Sequence, residues 1–233
     1  MSLVGLNKPI YRYLLDRKWR SYARPILMQR LTQMRVIPDI LPTIDPTVDV
    51  QVRFRGYGVK PGTILNTLRT ELPPSVKIFS FTAGPRLCTI AVVDPDVPNL
   101  EKDTYMYRLH WLVCNIKISH KSPQAIGYPA ERSDLVIPWL PPHVQKGISY
   151  HRYGLFVFEQ RNPIDAEMTK KSLQDAEGNL KRDKFTLRSF QSKNELSPIG
   201  AFMWRNEWDE HTKEVMGRHG LEGADIMWQR VKA

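Results

Sequence analysis

The chain has 233 residues, 42% of them hydrophobic, with a net charge of +10. That is enough for one sizeable domain with extensions, and no run of 18 or more apolar residues is present to span a bilayer. Such a charge balance points to a polyanionic partner, nucleic acid before an anionic membrane surface, with ordinary solubility as the competing reading.

The basic charge is concentrated at the start. Residues 1–45 carry Lys8, Arg12, Arg17, Lys18, Arg20, Arg24, Arg30 and Arg35 against Asp16, Asp39 and Asp45. A basic extension on a less charged body is a common layout for a nucleic-acid-binding arm. The stretch has no apolar h-region, so it does not read as a secretory signal. It matches an organelle-import presequence in charge, although Ser2 and Ser21 are its only serines through residue 36.

In chain order, Ile10, Leu14, Ile26, Leu27, Leu31 and Met34 recur at helical spacing over residues 9–36. Pro25 predicts two helices or a kink. Prolines 38, 42 and 46 then forbid regular helix and predict an extended connector, with a boundary near residue 45. The texture changes to strands at "VDVQVRF" (48–54), which alternates apolar and polar residues. "SVKIFSF" (75–81) does so less cleanly. "LCTIAVV" (87–93), "LHWLVCNI" (109–116) and "YGLFVFEQ" (153–160) are apolar on both parities, as expected of strands covered on both faces. Residues 161–184 are polar with a turn at Gly178-Asn179, "KFTLRSF" (184–190) predicts a further short strand, and the tail beyond 205 predicts helical pieces broken by Gly217, Gly220 and Gly223. These elements predict a mainly β sandwich with a helical basic N-terminal extension and short C-terminal helices. The expected divisions are residues 1–45, 46–212 and 213–233. Cys88 and Cys114 lie inside apolar strands. Buried free thiols are the expectation, with an inter-strand disulfide left open, and no metal or cofactor is expected.

The candidate site is a polar constellation on these strands. Asp94 ends the run 87–93, and Pro95 and Pro98 predict a rigid turn around Asp96. His110 sits within the next strand, while His151 and Tyr153 share one face at the start of 153–160. A carboxylate, two imidazoles and a phenol on adjacent strands would line a small pocket able to hold an anion, or would tie two strands together. No activated Ser or Cys, H-E-x-x-H, Gly-rich phosphate loop or carboxylate pair accompanies them, so no catalytic residue is assigned and no small-molecule substrate is expected.

The blocks "DPDVP", "YMYRLHWLVCNIK", Pro141-Pro142, "YHRYGLFVFEQ" and "FTLRSF…NELSPIGAFMWRNEWDE" occur in an order that resembles the phosphatidylethanolamine-binding-protein family over about residues 48–212. The resemblance implies a β-sandwich with an anion pocket formed by Asp94, Tyr105, His110, His151 and Tyr153. Departures from the family pattern imply that the pocket is narrowed or closed. Arg108 and His110 share a face, so the arginine would fill the pocket and favour neutral His110. Pro138-Trp139-Leu140 stands where the family has small glycines. The basic extension and "RVIPDILPTIDPTVDVQVRF" resemble the family's branch in the large subunit of the mitochondrial ribosome. That resemblance implies a structural, non-enzymatic role in the mitochondrial matrix at the central protuberance, in contact with large-subunit rRNA and neighbouring mitochondrial ribosomal proteins. The eight cations of the extension would bind RNA phosphates, and Tyr11, Tyr13, Trp19 and Tyr22 would stack on bases or pack on protein. Without its own core, the arm would be disordered until assembled. A regulatory module that binds an anion or phospholipid headgroup through Asp94, His110 and His151 is the alternative, and a hydrolase built on the same pocket is a third reading.

Overall fold

The computed structural model describes residues 8–99, 102–121, 125–126 and 134–228. A nearly unbroken helical rod comes first: α1 (Pro9–Lys18), a π turn (Trp19–Ala23) and α2 (Arg24–Gln33). Pro25 explains the π turn. Proline has no N–H and its ring crowds the carbonyl four residues back. Widening the preceding turn, so that the Arg24 N–H reaches the Trp19 carbonyl, lets the rod continue without a break. Its 25 residues span about 37 Å.

A single turn, α3 (Val36–Asp39), and the extended connector lead into β1 (Val48–Phe54), β2 (Tyr57–Gly58), β3 (Ile64–Leu65), α4 (Thr67–Thr70), β4 (Ser75–Ser80), β5 (Pro85–Asn99), β6 (Thr104–Ser119), β7 (Ala125–Ile126), β8 (Leu135–Ile137) and β9 (His151–Gln160). α5 (Ala166–Ser172), α6 (Leu187–Lys193), β10 (Ser197–Asn206) and α7 (Thr212–Arg218) complete the described elements. One sheet has the order β2-β1-β4-β7; the other has the order β3-β10-β9-β5-β6-β8 and is antiparallel except where β3 runs parallel to β10.

The six-stranded sheet is buried on both faces, which is why its central strands are apolar on both parities. Ile90, Val92, Leu155, Val157, Phe202 and Trp204 face Val48, Val50, Val52, Phe54, Val76 and Ile78 of the four-stranded sheet. Ala91, Val93, Phe156, Phe158, Ala201 and Met203 face the opposite way. Their cover includes Leu27 and Leu31 of α2, then Val36, Ile40, Leu41 and Ile44, so core residues lie on both sides of residue 45. Three polar ties hold the connector. Arg188 donates to the carbonyls of Pro38, Asp39 and Ile40, Tyr107 donates to the Asp39 carbonyl, and Arg152 bridges Asp39 and Asp96. The expectation of a coreless arm therefore fails for α2 and the connector: their apolar side chains close the sandwich's second face. α1 buries none of its residues.

Three local expectations are also corrected. The stretch 184–190 forms no strand; its second half starts α6, because Leu187 and Phe190, three apart, lie on one buried helical face. Asp94 does not end its strand, since β5 runs on to Asn99. The segment "SPIGAFMWRN" (197–206), for which the sequence reading assigned no strand, is β10, paired with β9 in the middle of the fold. Cys88 and Cys114 are buried free thiols in clusters on opposite faces of the sheet, a placement that rules out the disulfide left open above. Burial pushes them up to about 12 and about 11, respectively.

Candidate functional site

Two β-bulges build the polar constellation. Val92 pairs with Trp111 and Val93 with Leu109, which leaves His110 as an extra residue on β6. Asp94 pairs with Arg108 and Val97 with Met106, which puts an extra residue on β5 at Pro95-Asp96. Bulges break the alternation of a strand and re-aim side chains. Prolines 95 and 98, without N–H groups, suit the irregular stretch of β5.

Asp94 and His151 form the centre. The His151 Nδ1–H donates to Asp94 Oδ2 at 2.7 Å, and Asp94 Oδ1 accepts the Asp96 N–H at 2.8 Å. Burial acts to raise the Asp94 carboxyl, but the attraction and hydrogen bond of the His151 imidazole outweigh it and hold the group below its usual range. His110 does not make this bond: its Nε2 lies 3.9 Å from Asp94 Oδ2, and its Nδ1–H donates to the Leu140 carbonyl at 2.8 Å. The Leu140 N–H in turn donates to the His110 carbonyl, so the Pro138-Trp139-Leu140 segment is stitched onto β6 at the bulge. The Trp139 ring fills the space between Phe54, Trp111 and Trp204. Tyr153 meets the His110 ring edge-on at 5.1 Å and stacks on Trp204.

The sequence reading missed His143. It follows Pro141-Pro142, and its ring is buried 5.9 Å from that of His110. Its Nδ1–H donates to the Pro141 carbonyl, and its Nε2 accepts from Arg108 Nη1 at 2.8 Å. Arg108 also grips the Asp183 carboxylate through Nε and Nη2. The usable signal was the double proline, which holds Leu140 and Pro141 in an extended path just before His143.

A carbonyl only accepts, so His110 and His143 each carry their proton on Nδ1. Burial, followed for His143 by the Arg108 charge, drives His110 down to about 3 and His143 down to about 4. The expected effect of Arg108 on His110 is present but is the last of its causes; burial leads. His110 Nε2 and His151 Nε2 are buried without a hydrogen-bond partner among the described residues. His110 Nε2 therefore turns a lone pair toward the Asp94 carboxylate, and the His151 Nδ1–H is already bonded to that carboxylate, so neither Asp94 nor His110 offers a donor to an anion. Carboxylate and imidazole are oriented as a base pair would be, but no hydroxyl or thiol bonds to either free Nε2, and Asp94, His110, His143 and His151 are all buried.

Of the five residues matched to the family pocket, Asp94, His110, His151 and Tyr153 come together and Tyr105 does not. Tyr105 is 46% exposed, with its ring against Trp228. It lies beyond the β5 bulge, on the strand end that the C-terminal segment covers.

The second candidate site is the rod. Lys8, Arg17, Lys18, Arg20, Arg30 and Arg35 are exposed, and Arg12 and Arg24 are half-buried. Arg24 is engaged with Asp45 and the Pro46 carbonyl, and Arg20 with Asp16. Among the described residues, the other six form no ion pair with a carboxylate. Trp19 is buried against Phe81, so of the four aromatics this one packs inward. Tyr11, Tyr13 and Tyr22 stay exposed.

Residues 54–211 match the family model of phosphatidylethanolamine-binding protein. Large ribosomal subunit protein mL38 of Schizosaccharomyces pombe is 30% identical, over 99% of this chain and 73% of its own length. Putative odorant-binding protein A5 of Drosophila melanogaster is 25% identical, over 80% of this chain and 82% of its own. Among solved structures, the phosphatidylethanolamine-binding protein from Plasmodium vivax superposes with a TM-score of 0.58 at 20% identity, over 77% of this chain and 96% of that one. Carboxypeptidase Y inhibitor, solved with its cognate proteinase, gives 0.60 at 16% identity, over 79% and 96%. These structural likenesses show the fold. With the family model spanning both sheets and the Asp94 and His151 blocks, the chain belongs to the phosphatidylethanolamine-binding protein family.

Proposed function

We propose that the chain is a structural protein of the mitochondrial large ribosomal subunit, in the matrix, held to large-subunit rRNA and neighbouring ribosomal proteins by its N-terminal rod. The central protuberance is the place that the resemblance to the family's ribosomal branch suggests. The observation that carries the reading is the similarity, over nearly the whole chain, to a protein named for the large ribosomal subunit. The geometry supports it. The rod is anchored by Leu27 and Leu31 while α1 buries nothing, so cations and tyrosines are displayed on a helix fixed to a rigid body. Phosphate contacts from such a surface release counterions and give salt-sensitive, sequence-tolerant affinity.

The reading assigns no catalysis to the sandwich. The anion-binding alternative finds little support in a site where the Asp94 carboxylate and the free His110 Nε2 are acceptors and whose outer side is closed by Arg108, His143 and Leu140. The test is sedimentation of the tagged chain through a gradient of mitochondrial lysate. Migration with the large subunit, abolished by high salt or by charge reversal on α1, is the expected result. A chain that stays at the top of the gradient at low salt overturns the reading.

A further inference from the structure

Outside the closed histidine site lies an open cleft of about 1020 Å³, floored by Arg108, Leu140 and His143 and walled by the segments 180–184 and 221–222. It is a different site from the buried one, because Arg108 and His143 stand between the cleft and Asp94, His110 and His151.

The cleft contains a cation bonded, among the described residues, only to carbonyls. Arg182 is half-buried, and its Nη1 donates to the carbonyls of Leu109, His110 and Pro138. No carboxylate forms an ion pair with it among the described residues. The Asp183 carboxylate attracts it but is clasped by Arg108, which itself repels Arg182. Burial and that repulsion push the Arg182 guanidinium down to about 10. The three carbonyls satisfy Nη1 but do not neutralise the charge, so an anion that reaches this half-buried guanidinium is favoured. Lys181 and Lys184 are exposed at the rim, Lys181 also being drawn to Asp175. Four cations thus face two carboxylates, Asp183 and Glu222.

The remaining walls choose among anions. Pro98, Met106, Leu180 and Leu221 join Leu140 as aliphatic surface, and the imidazole of His143 is the cleft's one ring among the described residues. Base stacking draws mainly on exposed aromatic faces, which the described walls of the cleft lack, whereas mixed aliphatic and cationic walls suit a peptide that alternates apolar and acidic side chains. We propose that this cleft is a docking site for an acidic, apolar segment of a neighbouring polypeptide, whose carboxylate pairs with Arg182 and Lys184. The proposal goes beyond the ribosomal reading and is decidable on the free chain.

The experiment is fluorescence anisotropy of the full chain with a labelled octapeptide of alternating leucine and glutamate, beside a labelled octauridylate. The peptide is expected to bind. Lys184→Glu and Arg182→Gln should each weaken it at least tenfold, while Arg17→Glu/Lys18→Glu on α1 leaves it within twofold. Should Arg182→Gln fail to fold, Lys184→Glu decides. Absence of peptide binding, or unchanged affinity in Lys184→Glu, overturns the proposal. Octauridylate binding that shows the same loss on Lys184→Glu reassigns the cleft to phosphate and overturns it equally. The ribosomal reading is tested separately by sedimentation, so either can fail alone.

Discussion

Asp94 and Arg17 are both charged residues that a sequence reader would mark as functional, and their surroundings are opposite. Asp94 is 1% exposed, with one oxygen bonded to His151 and the other to a backbone N–H. Arg17 stands on a helix that buries none of its residues. Water screens charges at the surface and is absent around the buried pair. The Asp94 site therefore acts inward, as a strand-to-strand tie between β5 and β9, and α1 acts outward, on whatever it meets. Type of residue alone did not separate the two; burial and hydrogen-bond partners do.

The comparison is broken most directly by removing Asp94. Asp94→Ala leaves the His151 Nδ1–H and the Asp96 N–H buried without an acceptor, and the expected cost is about 3–5 kcal/mol. Asp94→Asn keeps one acceptor and costs less, about 1–3 kcal/mol. Urea unfolding followed by circular dichroism reads both. A loss under 1 kcal/mol for the alanine variant would mean that the pair does not tie the strands. Next comes Leu31→Ala, which opens a cavity in the core where α2 meets the six-stranded sheet. Leu31 is fully buried there, and the expected loss is about 2–5 kcal/mol. Leu14→Ala, on the exposed half of the same rod, should stay within about 0.5 kcal/mol. Equal effects at the two positions would show that the rod is docked along its whole length or nowhere.

Acid sharpens the inward half of the comparison. His110 and His143 are held near 3 and 4, below the usual imidazole value, so both are neutral in the folded chain at pH 5. In the unfolded chain they take up protons as the pH falls through about 6.5. The unfolded state then binds more protons, and stability present at neutral pH is lost as the pH falls from about 6.5 toward 4. Each imidazole contributes about 1.4 kcal/mol per pH unit in that window. Asp94, held below the usual carboxylate range, adds a further loss below about pH 4. His110→Asn should therefore flatten the slope of unfolding free energy between pH 6 and 4.5 by about 1.4 kcal/mol per unit. An unchanged slope would mean that His110 protonates in the folded protein.

Much of the scaffold was legible because burial leaves a period in the sequence. Val48, Val50, Val52 and Phe54 alternate since only one face of β1 is covered by core, and the doubly apolar β5, β6 and β9 announce a sheet covered twice. β10 was not legible by the same rule. Pro198 and Gly200 at its start are residue types depleted in strands, yet Gly200 is required by packing: a Cβ there would come within 2.6 Å of the Val48 side chain. The two bulges were invisible too, since an extra residue changes which way a side chain points without changing the local composition. That is how Asp94 came to face His151 and not the His110 that lies closer in sequence. His143 and the Arg108–Asp183 clasp depend on contacts across 35 and 75 residues, and no local pattern encodes them. The half-integrated rod shows the same limit. Charge and proline content marked residues 1–45 as an extension, while the four apolar residues Val36, Ile40, Leu41 and Ile44, scattered among prolines, turned out to be core.

The smallest expected effect on stability belongs to Arg17→Glu/Lys18→Glu, and it is the most informative about function. Both side chains are exposed and form no ion pair among the described residues, so the folded state should change by no more than about 0.5 kcal/mol. They do sit at the C-terminal end of α1, where positive charge favours the helix dipole. The α2 segment continues the same hydrogen-bonded rod past that point, which mutes the dipole contribution. On the proposed RNA-binding role, the same substitution would remove two phosphate contacts and add two repulsions. Affinity for a large-subunit rRNA fragment should fall at all salt concentrations, and the slope of log affinity against log salt should become shallower by about 1 for each lost contact. Base-specific reading would instead leave the slope intact and lower affinity for some sequences only. A variant that keeps both its affinity and its slope would move the RNA-facing surface away from α1, and the outward half of the comparison would have to be sought on the sandwich itself.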